Sequence, residues 1–260
     1  MREMSEAKPY GTVLIKAAKI MDFLAEEPDQ SLQEITAATK MTPSTTIKIL
    51  DTLVLIGYVK KSEHKTYRLG SKLIRYANQR LEQIDLAEIT LPYLEKLQQT
   101  IDETIHLGIL SDNEILYINK LEAKHQTIRM SSKIGITRPL YSSAMGKAVL
   151  ATFSQEEFDQ YLAEHTLVPH TENTITNPLR LAKELKEIRH SGIAFDDEEV
   201  ELDIFCVGAS LEKDGKAIGA FSVSMPKYRL NDEKKQLIIQ TILQTKKELE
   251  QLLNKKKKMA

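Results

Sequence analysis

The sequence predicts an α+β protein in two parts: an N-terminal winged helix-turn-helix over residues 1–80 and a C-terminal domain over 81–260 built on an antiparallel sheet. Three observations carry the prediction. Three helical patterns and a short basic hairpin fill the first 70 residues. Beyond residue 100, strand and helix patterns mix without the regular alternation of a parallel α/β fold. The length, 260 residues, suits two domains.

The first helix is read from Val13, Ala17, Ile20 and Leu24 on one stripe, with Leu14 and Met21 beside it, and it ends at Glu27-Pro28-Asp29. Ser31 is an expected N-cap with Glu34 as the reaching partner of a capping box. That short helix, Leu32 to about Thr39, should bury Leu32, Ile35 and Ala38. Thr42 caps a third helix with Pro43 at its first position, where a missing N–H costs nothing. This helix runs to about Ile56 with Ile47, Leu50 and Val54 inward and Leu53 flanking, and Gly57 stops it. Strands Tyr58–Lys60 and Thr66–Leu69, joined by residues 61–65, complete a winged helix.

A connecting helix is expected over Ser71–Ile84, and another from an Asp85 cap through Leu86, Ile89, Leu94, Leu97 and Ile101, kinked or restarted at Pro92. Strands Thr104–Leu110 and Ile115–Lys120 flank the turn Ser111–Glu114, and Thr127–Ser131 is a third candidate strand. Helices Ala144–Thr152, Gln155–Glu164 and Pro178–His190 follow, the last two capped by Ser154 and Asn177, with Gly192 as the final stop. Strands Ile193–Phe195, Ile204–Leu211 and Ala217–Ser224 come next. A closing helix carries Ile238, Ile242, Leu249 and Leu253 on one stripe, before a basic tail at Lys255–Lys258.

Composition narrows the function. The longest stretches free of charged residues, Ala217–Pro226 and Gln236–Thr245, are ten long, against about 20 for a spanning helix, so no membrane association is expected. No apolar h-region of a signal peptide is visible, which makes the cytoplasm the expected address. A single cysteine, Cys206, excludes an internal disulfide and any multi-cysteine zinc site. Residues 1–75 carry 12 Lys/Arg against 9 Asp/Glu, while the remaining 185 hold 24 against 28. The N-terminal part is thus the basic one, and its cations crowd into residues 58–75.

Helix order and charge together fit double-stranded DNA. The third helix presents Ser44, Thr45, Thr46 and Lys48 in its first turns, where short polar side chains reach base edges and phosphates of the major groove. The wing supplies Lys60, Lys61 and Lys65 for backbone phosphates. A winged helix used for protein contact is the alternative. Catalytic patterns are thin. Gly146-Lys147 lacks the rest of a phosphate-binding loop, and no serine stands three residues before Lys147. The six histidines are scattered, and no metal or cofactor is expected. Asp196-Asp197-Glu198-Glu199 is a dense carboxylate cluster, read as a solvated loop or helix start with one member turned inward to orient a ligand. Cys206 is read as a buried small hydrophobe. An enzyme using Asp196 and Cys206 is the rival from another class.

Three motifs in order resemble the IclR family of bacterial transcription regulators. The N-terminal module from Leu14 to Tyr67-Arg68-Leu69-Gly70, with Thr42-Pro43-Ser44-Thr45 and Leu50-Asp51-Thr52-Leu53 inside it, resembles the family's winged helix. Ser143-Ala144-Met145-Gly146-Lys147-Ala148-Val149-Leu150-Ala151 resembles its central small-residue motif, and residues 192–199 with Cys206 its C-terminal signature. The resemblance implies a ligand-responsive regulator, a repressor, with a GAF-like effector domain. It further implies a small-molecule ligand, an organic acid or an aromatic metabolite, and a homodimer or dimer of dimers; a two-fold helix-turn-helix dimer in turn predicts a pseudopalindromic operator, and the residues of the pocket point to an organic acid. Carried over by position, the effector pocket comprises Ala144, Met145, Asp196, Ile204, Cys206, Ser222 and Ser224. The strand pairs 204/206 and 222/224 share a face at period two, and amides opening the Ala144 helix would receive an anion. Lys48 stands where the family commonly has Arg, and Asp203 where it commonly has Gly; Phe205 and Ser210 also depart from the pattern.

Overall fold

The computed structural model describes residues 11–76, 86–126, 130 and 132–255, which divide into two compact units between residues 85 and 86. The expected cap Asp85, most of the strand expected over Thr127–Ser131, the second half of the connecting helix and the end of the basic tail lie outside the described residues. Of the connecting helix, residues 72–76 are described and helical.

In the N-terminal unit, α1 (Thr12–Glu26), α2 (Leu32–Thr39) and α3 (Pro43–Leu55) pack on a three-stranded antiparallel sheet of order β1 (Gln30–Ser31), β3 (Thr66–Leu69), β2 (Val59–Lys61). The caps are those the sequence signals. Ser31 Oγ accepts from the Glu34 amide and Glu34 Oε2 from the Ser31 amide, while Thr42 Oγ1 accepts from the Thr45 amide. Lys40, with φ 53°, ends α2 in the left-handed region and turns the chain toward α3. Two phases are corrected. Ala38 is exposed, leaving Ile35 as the buried residue of α2. In α3 the buried stripe is Thr46, Ile49, Leu50 and Leu53, so Ile47 and Val54 are only half-buried. The core joins these to Ile20, Leu24, Val59 and Tyr67.

The C-terminal unit is a six-stranded antiparallel sheet in the order β6 (Thr137–Pro139), β5 (Glu114–Leu121), β4 (Thr104–Ser111), β9 (Lys216–Pro226), β8 (Ile204–Lys213), β7 (Ala194–Asp197). Its hairpin β4–β5 turns on Asp112 and Asn113, both with positive φ, as a tight two-residue loop requires. Helix α4 (Leu86–Ile101) runs through Pro92 as one element and packs on α8 (Asp232–Lys255), whose buried residues include Ile238, Ile242, Leu249 and Leu253. Lys235 of α8 lies over the rings of Phe195 and Phe205, so α8 covers the face to which β7 and β8 send their odd-numbered side chains. The opposite face, with Asp196, Cys206 and Gly208, meets α5 (Ala144–Leu150), backed by α6 (Gln155–Glu164) and α7 (Pro178–Ser191). A short 3₁₀ turn, Lys227–Arg229, links β9 to α8.

Close approach of α5 requires two glycines. A Cβ on Gly208 would stand 2.9 Å from the Met145 nitrogen, and one on Gly146 would stand 2.6 Å from the Leu140 backbone oxygen. Side chains there would push the helix off the sheet. Asp203, at a position where glycine is common in the resembling family, does adopt the left-handed region, with φ 63°.

Candidate functional site

The helix-turn-helix presents Ser44 and Lys48 to solvent, with Thr45 half-exposed and its Oγ1 bonded to Thr42 Oγ1 at 2.9 Å. Thr46 is a correction. It is 0% exposed and donates its hydroxyl to the Thr42 carbonyl at 3.0 Å, so it is a packing residue that no external partner reaches. In the wing, Lys60, Lys61 and Lys65 are all exposed, but they do not share a face. Lys60 lies directly opposite Arg68 on β3, whereas Lys61 lies opposite Tyr67, with Nζ 5.3 Å from the ring centroid. Two like charges side by side, with no carboxylate paired to either among the described residues, form an attractive seat for a phosphate. Period-two alternation could have singled out Arg68; the sum of wing cations could not.

In the C-terminal unit a cavity of about 50 Å³ opens on the α5-facing side of the sheet. Asp196, Ile204, Cys206 and Ser224, four of the seven residues carried over from the resemblance, line it together. Asp196 pairs with Cys206, and Cys206 with Ser224, across neighbouring strands. Ala144, Met145 and Ser222 do not reach the wall. Ser222 is paired with Gly208, on which the first turn of α5 rests, and all three residues are at most 2% exposed. Met145 instead packs with Ile115, Tyr117 and Leu140. The α5 N-terminus is also partly spent internally, since Ser143 Oγ accepts from the Gly146 amide at 3.0 Å. A larger groove, about 1070 Å³, runs along α7, but it is open and edged by ionic side chains such as Arg180, Lys183 and Glu187. The smaller cavity is the better candidate because buried polar groups converge on it.

The sequence reading missed six polar residues of its wall: the buried His106, Tyr117 and Ser143, the half-buried Ser132 and Arg138, and the exposed Glu201. His106 interrupts an apolar strand, which is itself a signal, since a buried polar residue needs a reason. Its ring lies 5.0 Å from that of Tyr117. Lys120 Nζ holds the segment beside it, donating to the Met130 and Ser132 carbonyls at 2.7 Å each.

Electrostatics divide the carboxylate cluster. The reading of a solvated loop with one inward member is corrected: two members, Asp196 and Glu199, are buried, 4% and 5% exposed. Glu198 takes a left-handed backbone, φ 60°, and the turn swings Asp197 and Glu198 outward onto Lys227. Burial raises the Asp196 carboxyl to about 6, although the Glu199 and Val200 amides donate to its Oδ1 at 2.8 and 3.3 Å. Burial likewise raises Glu199 to about 7, against the opposing charge of Lys147. Lys147, 0% exposed, is bonded to both Glu199 and Glu184, the latter at 2.5 Å. Cys206 is half-buried at the cavity, and desolvation followed by the Asp196 charge pushes its thiol well above the ordinary value, which favours the neutral thiol over the thiolate. Among the described residues no cluster of histidine, cysteine and carboxylate could hold a metal, and no helix is long and apolar enough to cross a membrane.

The family model for the IclR helix-turn-helix domain matches residues 13–63, and that for the bacterial transcriptional regulator IclR C-terminal domain matches residues 78–251. The chain belongs to the IclR family. It is 32% identical to the HTH-type transcriptional regulator KdgR of Escherichia coli, over 86% of this chain and 85% of that protein. The crystal structure of Thermotoga maritima IclR is similar over 93% of this chain and 98% of the other, with 34% identity and a TM-score of 0.74. An IclR homologue from Microbacterium hydrocarbonoxydans, solved in complex with 4-hydroxybenzoate, shares the fold at 20% identity and a TM-score of 0.75 over 91% and 98% of the two chains. Members of the IclR family are transcription regulators, not enzymes. The protein is accordingly a DNA-binding, ligand-responsive regulator: its helix-turn-helix binds DNA and its C-terminal domain binds a small-molecule effector.

Proposed function

We propose that the protein is a repressor whose effector is a small organic acid held in the cavity between Asp196, Ser224 and Arg138. The observation that carries this is the convergence of buried and half-buried polar groups on one small cavity. Arg138 supplies a cation for a carboxylate, Ser224 a hydroxyl, and Ile204 an apolar wall. The 4-hydroxybenzoate bound by the Microbacterium homologue, an acid with an apolar body, is consistent with that chemistry. On DNA, Ser44, Thr45 and Lys48 reach base edges or nearby phosphates, while Lys60, Lys61 and Lys65 meet the backbone. The active species is a cytoplasmic homodimer or dimer of dimers on a pseudopalindromic operator, since a helix-turn-helix dimer reads half-sites about one helical turn apart.

Calorimetry with a panel of short organic acids tests the cavity. Ser224→Ala and Arg138→Leu should each weaken the acid that binds wild type, by about 1–3 kcal/mol for a buried polar partner left unsatisfied. Operator affinity without ligand should stay at the wild-type value. Undiminished acid binding in both variants would place the site elsewhere, and a footprint of one isolated half-site would overturn the dimer.

A further inference from the structure

His106 stands between two hydroxyls. Its Nδ1 lies 3.2 Å from Ser224 Oγ and its Nε2 lies 2.7 Å from Ser132 Oγ. The ring is neutral near pH 7, because burial, reinforced by the charges of Lys120 and Arg138, pushes its pKa down to about 3. A neutral imidazole carries one N–H and one bare nitrogen, so its two neighbours cannot play the same part. If Ser132 donates to Nε2, then Nδ1–H donates to Ser224, and the Ser224 proton is free for the cavity. If the ring is reversed, that proton is spent on Nδ1 and the cavity sees only a lone pair. The tautomer of His106 therefore sets the polarity of Ser224.

The other end of the row fixes which state holds. Asp196 Oδ1 accepts from two backbone amides, and neither of those amides bonds Oδ2. Cys206 separates Asp196 from Ser224 by one strand on either side, and its thiol interacts with both. All three residues line the one cavity, so a ligand there lies within reach of both the Asp196 and the Ser224 side chains.

We propose that the row Asp196–Cys206–Ser224–His106–Ser132 selects a ligand hydroxyl over a ligand carbonyl, with His106 as the specificity-determining residue acting through Ser224. The proposal rests on the cavity being the effector site. A hydroxyl between Ser224 and Asp196 donates to the carboxylate and accepts from Ser224. Ser224 accepts from Nδ1–H, and Nε2 accepts from Ser132. Each of these protons then points toward the Asp196 carboxylate. A carbonyl oxygen in that place brings no proton, and sets an acceptor against the carboxylate. Sites built around a substrate hydroxyl discriminate strongly against analogues that lack it. With Arg138 taking the carboxylate, the ligand class is a hydroxy acid rather than an oxo acid.

Two measurements on the full-length protein test this. Nitrogen-15 NMR of histidine-labelled protein at pH 7, with the His106 signals identified by their loss in His106→Asn, should show Nδ1 protonated and Nε2 bare. A ring protonated at Nε2 overturns the relay whatever binds. Calorimetry with the matched pairs lactate and pyruvate, and 3-hydroxybutyrate and acetoacetate, should show the hydroxy member binding at least roughly ten-fold tighter for at least one pair. That preference should fall to about two-fold or less in His106→Asn, whose amide can turn either way. Equal binding within the pairs, or a preference that survives in His106→Asn, overturns the selection while leaving the cavity as an acid site. Binding of none of the four acids to wild type overturns both readings.

Discussion

Replacing Asp196 by Asn isolates the cost of a buried charge. The amide oxygen can still accept from the Glu199 and Val200 amides that now bond Oδ1, so the substitution removes the charge and little of the hydrogen bonding. The carboxyl is raised from 3.8 to about 6, chiefly by burial. A rise of that size corresponds to about 3 kcal/mol of differential stability. The sign follows from proton binding. Between these two values the folded state holds the proton more tightly than the unfolded chain, so this group's contribution to stability falls as pH rises. Below about 4 both states are protonated and the penalty is absent; above about 6 both are ionised and the folded state bears all of it. The stability of Asp196→Asn relative to wild type should accordingly grow by about 2 kcal/mol between pH 4.5 and pH 8. Urea unfolding followed by far-UV circular dichroism at several pH values measures it, with Glu199 titrating in both proteins. A difference that stays constant with pH, or shrinks as pH rises, would refute the reasoning.

The winged helix and the buried lysine give three further expectations. Converting Lys60 and Arg68 together to Ala should lower the slope of log affinity against log salt by about 2, roughly 0.9 for each phosphate left without its cation; fluorescence anisotropy on a labelled operator reads it, and an unchanged slope removes that face of the wing from the interface. Thr46→Val should leave operator discrimination intact, whereas Ser44→Ala should relax it at one base position by about 1–3 kcal/mol if its hydroxyl reads a base edge, as competition with substituted operators will show. Lys147→Met strands Glu199 and Glu184 without their cation and should cost about 3–5 kcal/mol in chemical denaturation, with part of the loss recovered when Glu199→Gln is added.

What the sequence revealed of the fold tracks how local each determinant is. Ser31 with Glu34, Ser154 with Glu157, and Asn177 before Pro178 fix helix starts through bonds made within three residues, and the helices begin where those signals stand. Strands β1 and β6 escaped notice because two and three residues carry no periodicity; they exist through their partners, Thr66–Tyr67 and Glu114–Leu116. The phase of α3 departs from its hydropathy pattern for a related reason. Thr46 satisfies its hydroxyl on the Thr42 carbonyl one turn back, which lets a polar residue take the inward position that hydropathy assigns to Ile47.

The cavity shows the same division at the level of the site. Period two along β8 placed Ile204 and Cys206 on one face, and a single cross-strand register links Cys206 to Asp196 and to Ser224. The same period placed Ser222 beside Ser224, yet only one of them reaches the cavity, because α5 descends onto Gly208 and covers Ser222. No property of residue 222 itself announces that; it depends on a glycine fourteen positions away. His106 is the converse case. Among scattered histidines it looks ordinary, and its character comes from Ser132, Ser224, Lys120 and Arg138, which belong to four separate segments. A side chain whose role is to fix the direction of its neighbours' hydrogen bonds can be recognised only when those neighbours are in place, and in this chain the sheet puts them there.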